Sequence, residues 1–171
     1  MYDLFPNYNV GLVFLLDEDK QILHLKTVSL IPGIDLVLNK LLHKKFAEYS
    51  LSTKSSYNNL ISKSALELTH YQSRSLSDFA IGALAPVIAN QIGKELKFNA
   101  GISIPIIYAG EIIEVTVYTK RNDDQFDEDE ISVLYLLNEQ LAICIRNAEL
   151  FTQINKNIDN FKDKITSLIY K

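Results

Sequence analysis

Residues 9–16 form a β-rich, largely apolar run, and a second run spans 22–29, where Leu23, Leu25 and Thr27 alternate with His24, Lys26 and Val28. Between the two runs lies the polar stretch Asp17-Glu18-Asp19-Lys20. Two such runs on either side of a polar turn predict a β-hairpin. After Pro32-Gly33, the segment "IDLVLNKLLHKKF" (34–46) repeats Leu36, Leu38, Leu41 and Leu42, which predicts a short amphipathic helix. "FAEYSLST" (46–53) returns to alternation, with Ala47, Tyr49 and Leu51 on one side, and predicts a third strand. Residues 53–80 are the least decided: a helix is expected near Tyr57 to Leu68, followed by the polar stretch "THYQSRSLSD".

In "APVIANQIGKELK" (85–97), Pro86 stands where a first-turn proline belongs and Val87, Ile88 and Ile92 have helical spacing. "GISIPIIYAGEIIEVTVYTKR" (101–121) reads as two apolar runs joined by Ala109-Gly110, a second hairpin with one buried face. A long helix follows. Asp127 with Glu130 resembles a capping box, and the acidic first turn suits the positive end of a helix dipole. Its apolar stripe runs Leu134, Leu137, Leu141, Ile145 and Ala148, which the sheet is expected to cover in part. The stripe continues Phe151, Ile154, Ile158, Phe161, Ile165 and Leu168. From Ile154 onward it steps by 4, 3, 4 and 3, a heptad seam with no intrachain partner in prospect. Ile154, Ile158, Phe161, Ile165 and Leu168 are therefore expected to form the interface of a parallel homodimer.

At 171 residues and 47% hydrophobic content, the chain is long enough for one domain with a proper core. A domain over residues 1–152 with a helical extension over 153–171 is the expected division. The net charge of −4, with 17 basic residues scattered along the chain, argues against nucleic acid as a partner. With one cysteine, Cys144, and three histidines, neither an internal disulfide nor a thiolate zinc site is expected. The start "MYDLFPNYN" carries an acid and a proline where a signal peptide needs a basic start and an apolar stretch. No apolar run approaches the roughly 20 residues of a membrane span. A cytoplasmic protein without a membrane partner is the expectation.

The closing half narrows the fold. Ser103 and Pro105 in a strand, Gly110 in its turn, Phe126 and Glu130 before a helix, then Ala142 to Ile145 and Asn147, Ala148, Leu150 and Phe151 together resemble the closing half of a GAF domain. "GLVFLLDEDKQILHL" is similar to that family's first hairpin, so the resemblance covers roughly residues 8–152. One departure stands out: Glu114 occupies a position where the family usually has glycine. The resemblance implies an α+β fold. Its features are a central antiparallel sheet of about six strands, helices on both faces, a long C-terminal helix and a ligand cavity on one face.

The resemblance further implies a non-catalytic sensory or regulatory domain of a signalling protein such as a histidine kinase, cyclase or transcription regulator. Such a domain would bind a small molecule, whose identity stays unknown, and act on an output domain through the C-terminal helix. The alternative is a ligand-free dimerisation module. Candidate ligand-binding residues are His70, Arg74 and Phe79 in the expected lid, with Ser103, Tyr108, Thr116 and Tyr118 on the second hairpin. His24 and His43 read as surface histidines. Cys144, between Leu141 and Ala148 on the stripe, reads as a buried structural thiol rather than a bilin attachment point. "NDDQFDEDE" is an imperfect match to the signature of cyclic-nucleotide-binding relatives, because Asp123 stands where their lysine does, and it reads more simply as an acidic helix start. No nucleophile with a base, no phosphate loop and no metal motif is legible, so a stand-alone enzyme is disfavoured.

Overall fold

The computed structural model describes residues 8–17, 19–29, 42, 48–53, 58–121 and 125–169. The helix expected over 34–46, with His43, lies outside the described residues, as do Ala47, Tyr57, Asn122, Asp123 and the side chain of Leu168.

Both hairpins form where the runs and turns of the sequence predict them. β1 (Tyr8–Leu16) and β2 (Ile22–Ser29) pair across a turn in which Asp17 Oδ1 accepts from the backbone N–H of Gln21 at 2.6 Å and of Ile22 at 3.0 Å. β5 (Ala100–Tyr108) and β6 (Glu111–Lys120) join through Ala109-Gly110, both at positive φ, 52° and 83°. That is the backbone a two-residue type I′ turn demands, and its twist matches the strands on either side. With β3 (Ser50–Ser52) and β4 (Tyr71–Ser73) at the edges, the sheet is antiparallel throughout in the order β3-β2-β1-β6-β5-β4.

Two layers of helix cover it. On one face lie α1 (Leu60–Glu67), α2 (Leu76–Ala80) and α3 (Pro86–Glu95), packed with Phe14, Leu23, Leu25, Leu51, Val115 and Val117 of the sheet. α1 is short and rich in serine, and side-chain hydrogen bonds pin it. Asn59 caps it by accepting from Ser62 N–H at 2.7 Å, Ser62 Oγ donates to Ser52 O at 2.7 Å, and Ser103 Oγ donates to Leu60 O at 3.0 Å. These bonds satisfy polar groups that the packing buries. α3 starts at Pro86, as the sequence predicts.

On the other face lies α4 (Glu128–Ile169), 42 residues long. Its start is the predicted capping box: Glu130 N–H donates to Asp127 Oδ1 at 2.8 Å, and Asp127 N–H donates back to Glu130 Oε2 at 3.0 Å. Glu130 also pairs with the buried ammonium of Lys120, which sits 4.7 Å above the Phe126 ring. Two sequence expectations about α4 are corrected here. The sheet covers Ile131, Leu134, Asn138 and Ala142, whereas Leu137 and Leu141 are each 38% exposed. Cys144 is exposed, not buried, because it belongs to the outward series with Leu141 and Ala148.

The position that displaces Leu137 from the interface is polar. Asn138 Nδ2 donates to Thr116 Oγ1 at 2.7 Å and Asn138 Oδ1 accepts from Tyr118 OH at 3.0 Å, while Thr116 Oγ1 donates to Ile104 O at 3.1 Å. This network is fully buried, and a buried network satisfied on all sides fixes one register of helix against sheet. Glu114 shares that face, buried between Leu15 and Ile106 of the neighbouring strands. Burial raises its pKa above the ordinary 4.5, Glu149 adds to the rise, and Lys26 opposes it.

Two outcomes are expected. Asn138→Leu removes the acceptor of Tyr118 and the donor to Thr116 at similar volume. It should cost about 1–3 kcal/mol in urea unfolding, part of which Tyr118→Phe in the same chain restores; a loss near zero would show that the network contributes little. Glu114 holds its proton more tightly folded than unfolded. Its contribution is therefore fully present below the unfolded pKa and is lost as pH rises through the folded one. Glu114→Gln should melt higher than the parent at neutral pH and flatten the acid-to-neutral slope; equal melting temperatures across that range would contradict the burial cost.

Candidate ligand cavity

The sheet and the three short helices do not meet everywhere. Between them lies a cavity of about 90 Å³, walled by Leu12, Phe14, Leu25, Leu51, Val117 and Thr119 from the strands and by Ile61, Leu76, Phe79 and Ile92 from the helices. Gly101 keeps the wall open beside it. A Cβ there would stand 2.8 Å from the Phe98 ring and 3.0 Å from Phe79. Those two rings meet edge to face at 6.2 Å, and Phe79 is one of the cavity's own walls. Thr119 lies directly across from Gly101 in the ladder and is 3% exposed, and its Oγ1 finds no hydrogen-bond partner among the described residues. Tyr49 also lines the space; burial, then Glu48, raises its phenol above the ordinary pKa, so it stays protonated at neutral pH.

Strand alternation decides where the sequence-predicted residues go. On β6, Val115, Val117 and Thr119 belong to the cavity face, and Thr116 and Tyr118 belong to the α4 face, where Asn138 takes up their hydroxyls. Phe79 stands in the cavity wall. Ser103 is buried and donates to Leu60 O and Tyr71 O, holding α1 and β4 to β5. His70 turns to α4: its N–H donates to Tyr135 OH at 3.1 Å and its Nδ1 lies 3.2 Å from the same oxygen. Arg74 is exposed. Tyr108 is 40% exposed, with the Arg146 guanidinium 5.8 Å from its ring. The structure thus brings one of the seven, Phe79, to the cavity. The residues missed, Leu25, Val117 and Thr119, are ordinary strand positions; the signal for Thr119 is its odd number on β6, in phase with Val115 and Val117.

A second cleft, at the tip of the β5–β6 hairpin against α4, is lined by Asp17, Lys20, Glu111, Arg146 and Glu149. Its cations are engaged: Arg146 with Glu149 at 2.7 Å and Lys20 with Glu111 at 3.6 Å. Both pairs are solvent-exposed and worth little. Among the described residues no group of three or more His, Cys, Asp or Glu side chains is placed to hold a metal ion, and no helix is long and apolar enough to cross a membrane.

No protein-family model matches the chain, and no curated protein sequence does. Solved structures do. The GAF domain of a two-component sensor histidine kinase from Bacillus halodurans superposes with a TM-score of 0.60 at 18% identity, covering 88% of this chain and 90% of that one. The GAF domain of an Acinetobacter phosphoenolpyruvate-protein phosphotransferase gives 0.60 at 17%, covering 89% and 78%. The type II free methionine-R-sulfoxide reductase from Thermoplasma acidophilum gives 0.55 at 12%, covering 83% and 81%. At such identities the likeness is one of architecture, and one architecture hosts unrelated functions. Strand order, the two helical layers and these superpositions agree: the chain has the GAF-domain fold.

Proposed function

We propose that this chain is a non-catalytic sensory or regulatory domain of a signal-transduction protein. In this reading a small molecule enters the apolar cavity, and α4 carries the change to an output domain of a histidine kinase, cyclase or transcription regulator. The observation that carries it is that one strand serves both sites. β6 lends Val117 and Thr119 to the cavity wall and Thr116 and Tyr118 to the α4 network. A ligand that moves the wall moves the residues that hold the helix, and a ligand shifts an equilibrium only through such differential contacts.

The relay continues along a helix pair. Every described residue from Arg146 to Ser167 is exposed, so α4 has left the domain by then. Its outward series Leu137, Leu141, Cys144, Ala148, Phe151, Ile154, Ile158, Phe161 and Ile165 keeps heptad spacing except for one extra three-residue step at Phe151–Ile154. The large members of that series are 38% to 68% exposed in the single chain. A second copy in parallel, meeting at Ile154, Ile158, Phe161, Ile165 and Leu168, covers the seam and leaves both output domains at one end.

Two experiments test this reading. Ala83→Leu places bulk in the cavity as a stand-in for a ligand. It should alter amide hydrogen exchange in β6 and in residues 134–145 of α4; exchange unchanged there sinks the relay and leaves a dimerisation module. In sedimentation equilibrium, Ile158→Asp and Phe161→Asp should each weaken self-association at least about tenfold, because each puts a charge into an apolar seam. A parent chain that is monomeric at high micromolar concentration, or variants that associate as it does, would overturn the dimer.

A further inference from the structure

None of the fifteen described residues lining the cavity is charged; thirteen are apolar, and Tyr49 and Thr119 carry hydroxyls. A phosphate, carboxylate or ammonium group entering this space would leave water without gaining an opposite charge among the described residues, a costly burial. The volume sets a second limit. An engineered apolar cavity of about 150 Å³ takes benzene, so about 90 Å³ admits roughly four non-hydrogen atoms before side chains move. The third observation is the hydroxyl of Thr119, a residue 3% exposed, which finds no partner among the described residues. Across the ladder from it stands Gly101, which contributes no side chain to crowd it. The described walls offer a lone water the Thr119 hydroxyl, where a buried water typically makes about three hydrogen bonds.

From these we infer that the cavity takes a small uncharged apolar molecule with one oxygen function, a short-chain alcohol or ketone, whose oxygen bonds to Thr119 Oγ1. The inference rests on the small-molecule reading above and gives it a chemical class. A hydroxyl both donates and accepts, so Thr119 serves either ligand. Binding supplies the partner that the described residues do not offer, which makes the oxygen, and not only the hydrocarbon, a source of selectivity.

The test is a methyl-resolved NMR titration of the whole chain with n-propanol, acetone, propane and acetate, each small enough for the space, as separate probes. n-Propanol and acetone should shift the methyl resonances of Leu25 and Val117 saturably, and acetate should not. Thr119→Val, which keeps the shape and removes the hydroxyl, should weaken the two oxygenated probes about three- to tenfold and leave propane unaffected. Thr119→Ser should retain their binding. Removal of an unpartnered hydroxyl should also raise the melting temperature of Thr119→Val by about 2–4 °C, which verifies that the variant folds. If acetate binds at these methyls more tightly than n-propanol, the chemical class is wrong while the sensory reading stands. If Thr119→Val binds all probes as the parent does, the role of Thr119 is wrong. If no probe moves these methyls, the space is a gap in the core, and both this inference and the small-molecule reading fall.

Discussion

From Glu114 to Lys120 every side chain of β6 is buried, on both faces, in the middle of the sheet between β1 and β5. Most of the molecule follows from that. A strand covered on both sides has no solvent face on which to place a misfit, so its alternation must satisfy an apolar cavity and a helix interface at once. A slip of one residue would exchange the two sets completely. The register is held at one end by the Ala109-Gly110 turn and in the middle by Asn138, which grips Thr116 and Tyr118 together. Thr116, Tyr118 and Lys120 of the strand are tolerable because their partners Asn138 and Glu130 come with α4.

The attachment of α4 is concentrated in its first half. Glu130 ties the first turn to Lys120, Tyr135 meets His70 at the edge strand, and Asn138 locks the middle of the sheet. Ala142 is the last fully buried residue. From Arg146 to Ser167 every residue of the helix is exposed, a stretch of roughly 33 Å at about 1.5 Å per residue that extends without cover from the described residues of its own domain. A rod clamped at one end turns a small rotation at the clamp into a larger displacement at its tip, so the short contact with β6 governs where the far end points.

Sequence patterning resolved the elements long enough to show a period. Both hairpins, the capping box at Asp127 and Glu130, and the Pro86 start of α3 are legible because each rests on local geometry. β4 and α2 are not, since three residues of strand and five of helix barely exceed one period and lie inside the polar stretch 69–78 or at its edge, where no apolar pattern marks them. The stripe on α4 was misplaced for a different reason. The helix has two apolar faces, and counting leucines selects the outer one with Leu137 and Leu141, whereas the inner one is marked by Asn138 and Ala142, a polar and a small residue. The candidate site suffered likewise. Hydroxyls drew attention to Thr116 and Tyr118, but those belong to the helix interface, while the cavity is built from aliphatic side chains that carry no chemical signature.

The cavity owes its shape partly to an atom that is not there. Gly101 is closely overlain by Phe98 and Phe79, and a methyl at that position would press on both rings, of which Phe79 borders the empty space. One way for Phe79 to yield is toward the cavity. A glycine-to-alanine exchange in this strand is thus a setting of internal volume, made at a site that touches no ligand and changes no charge. Homologous chains that differ there would have cavities of different size on the same scaffold, and a descendant could close its site with one substitution while keeping its sheet, its network and its helix intact.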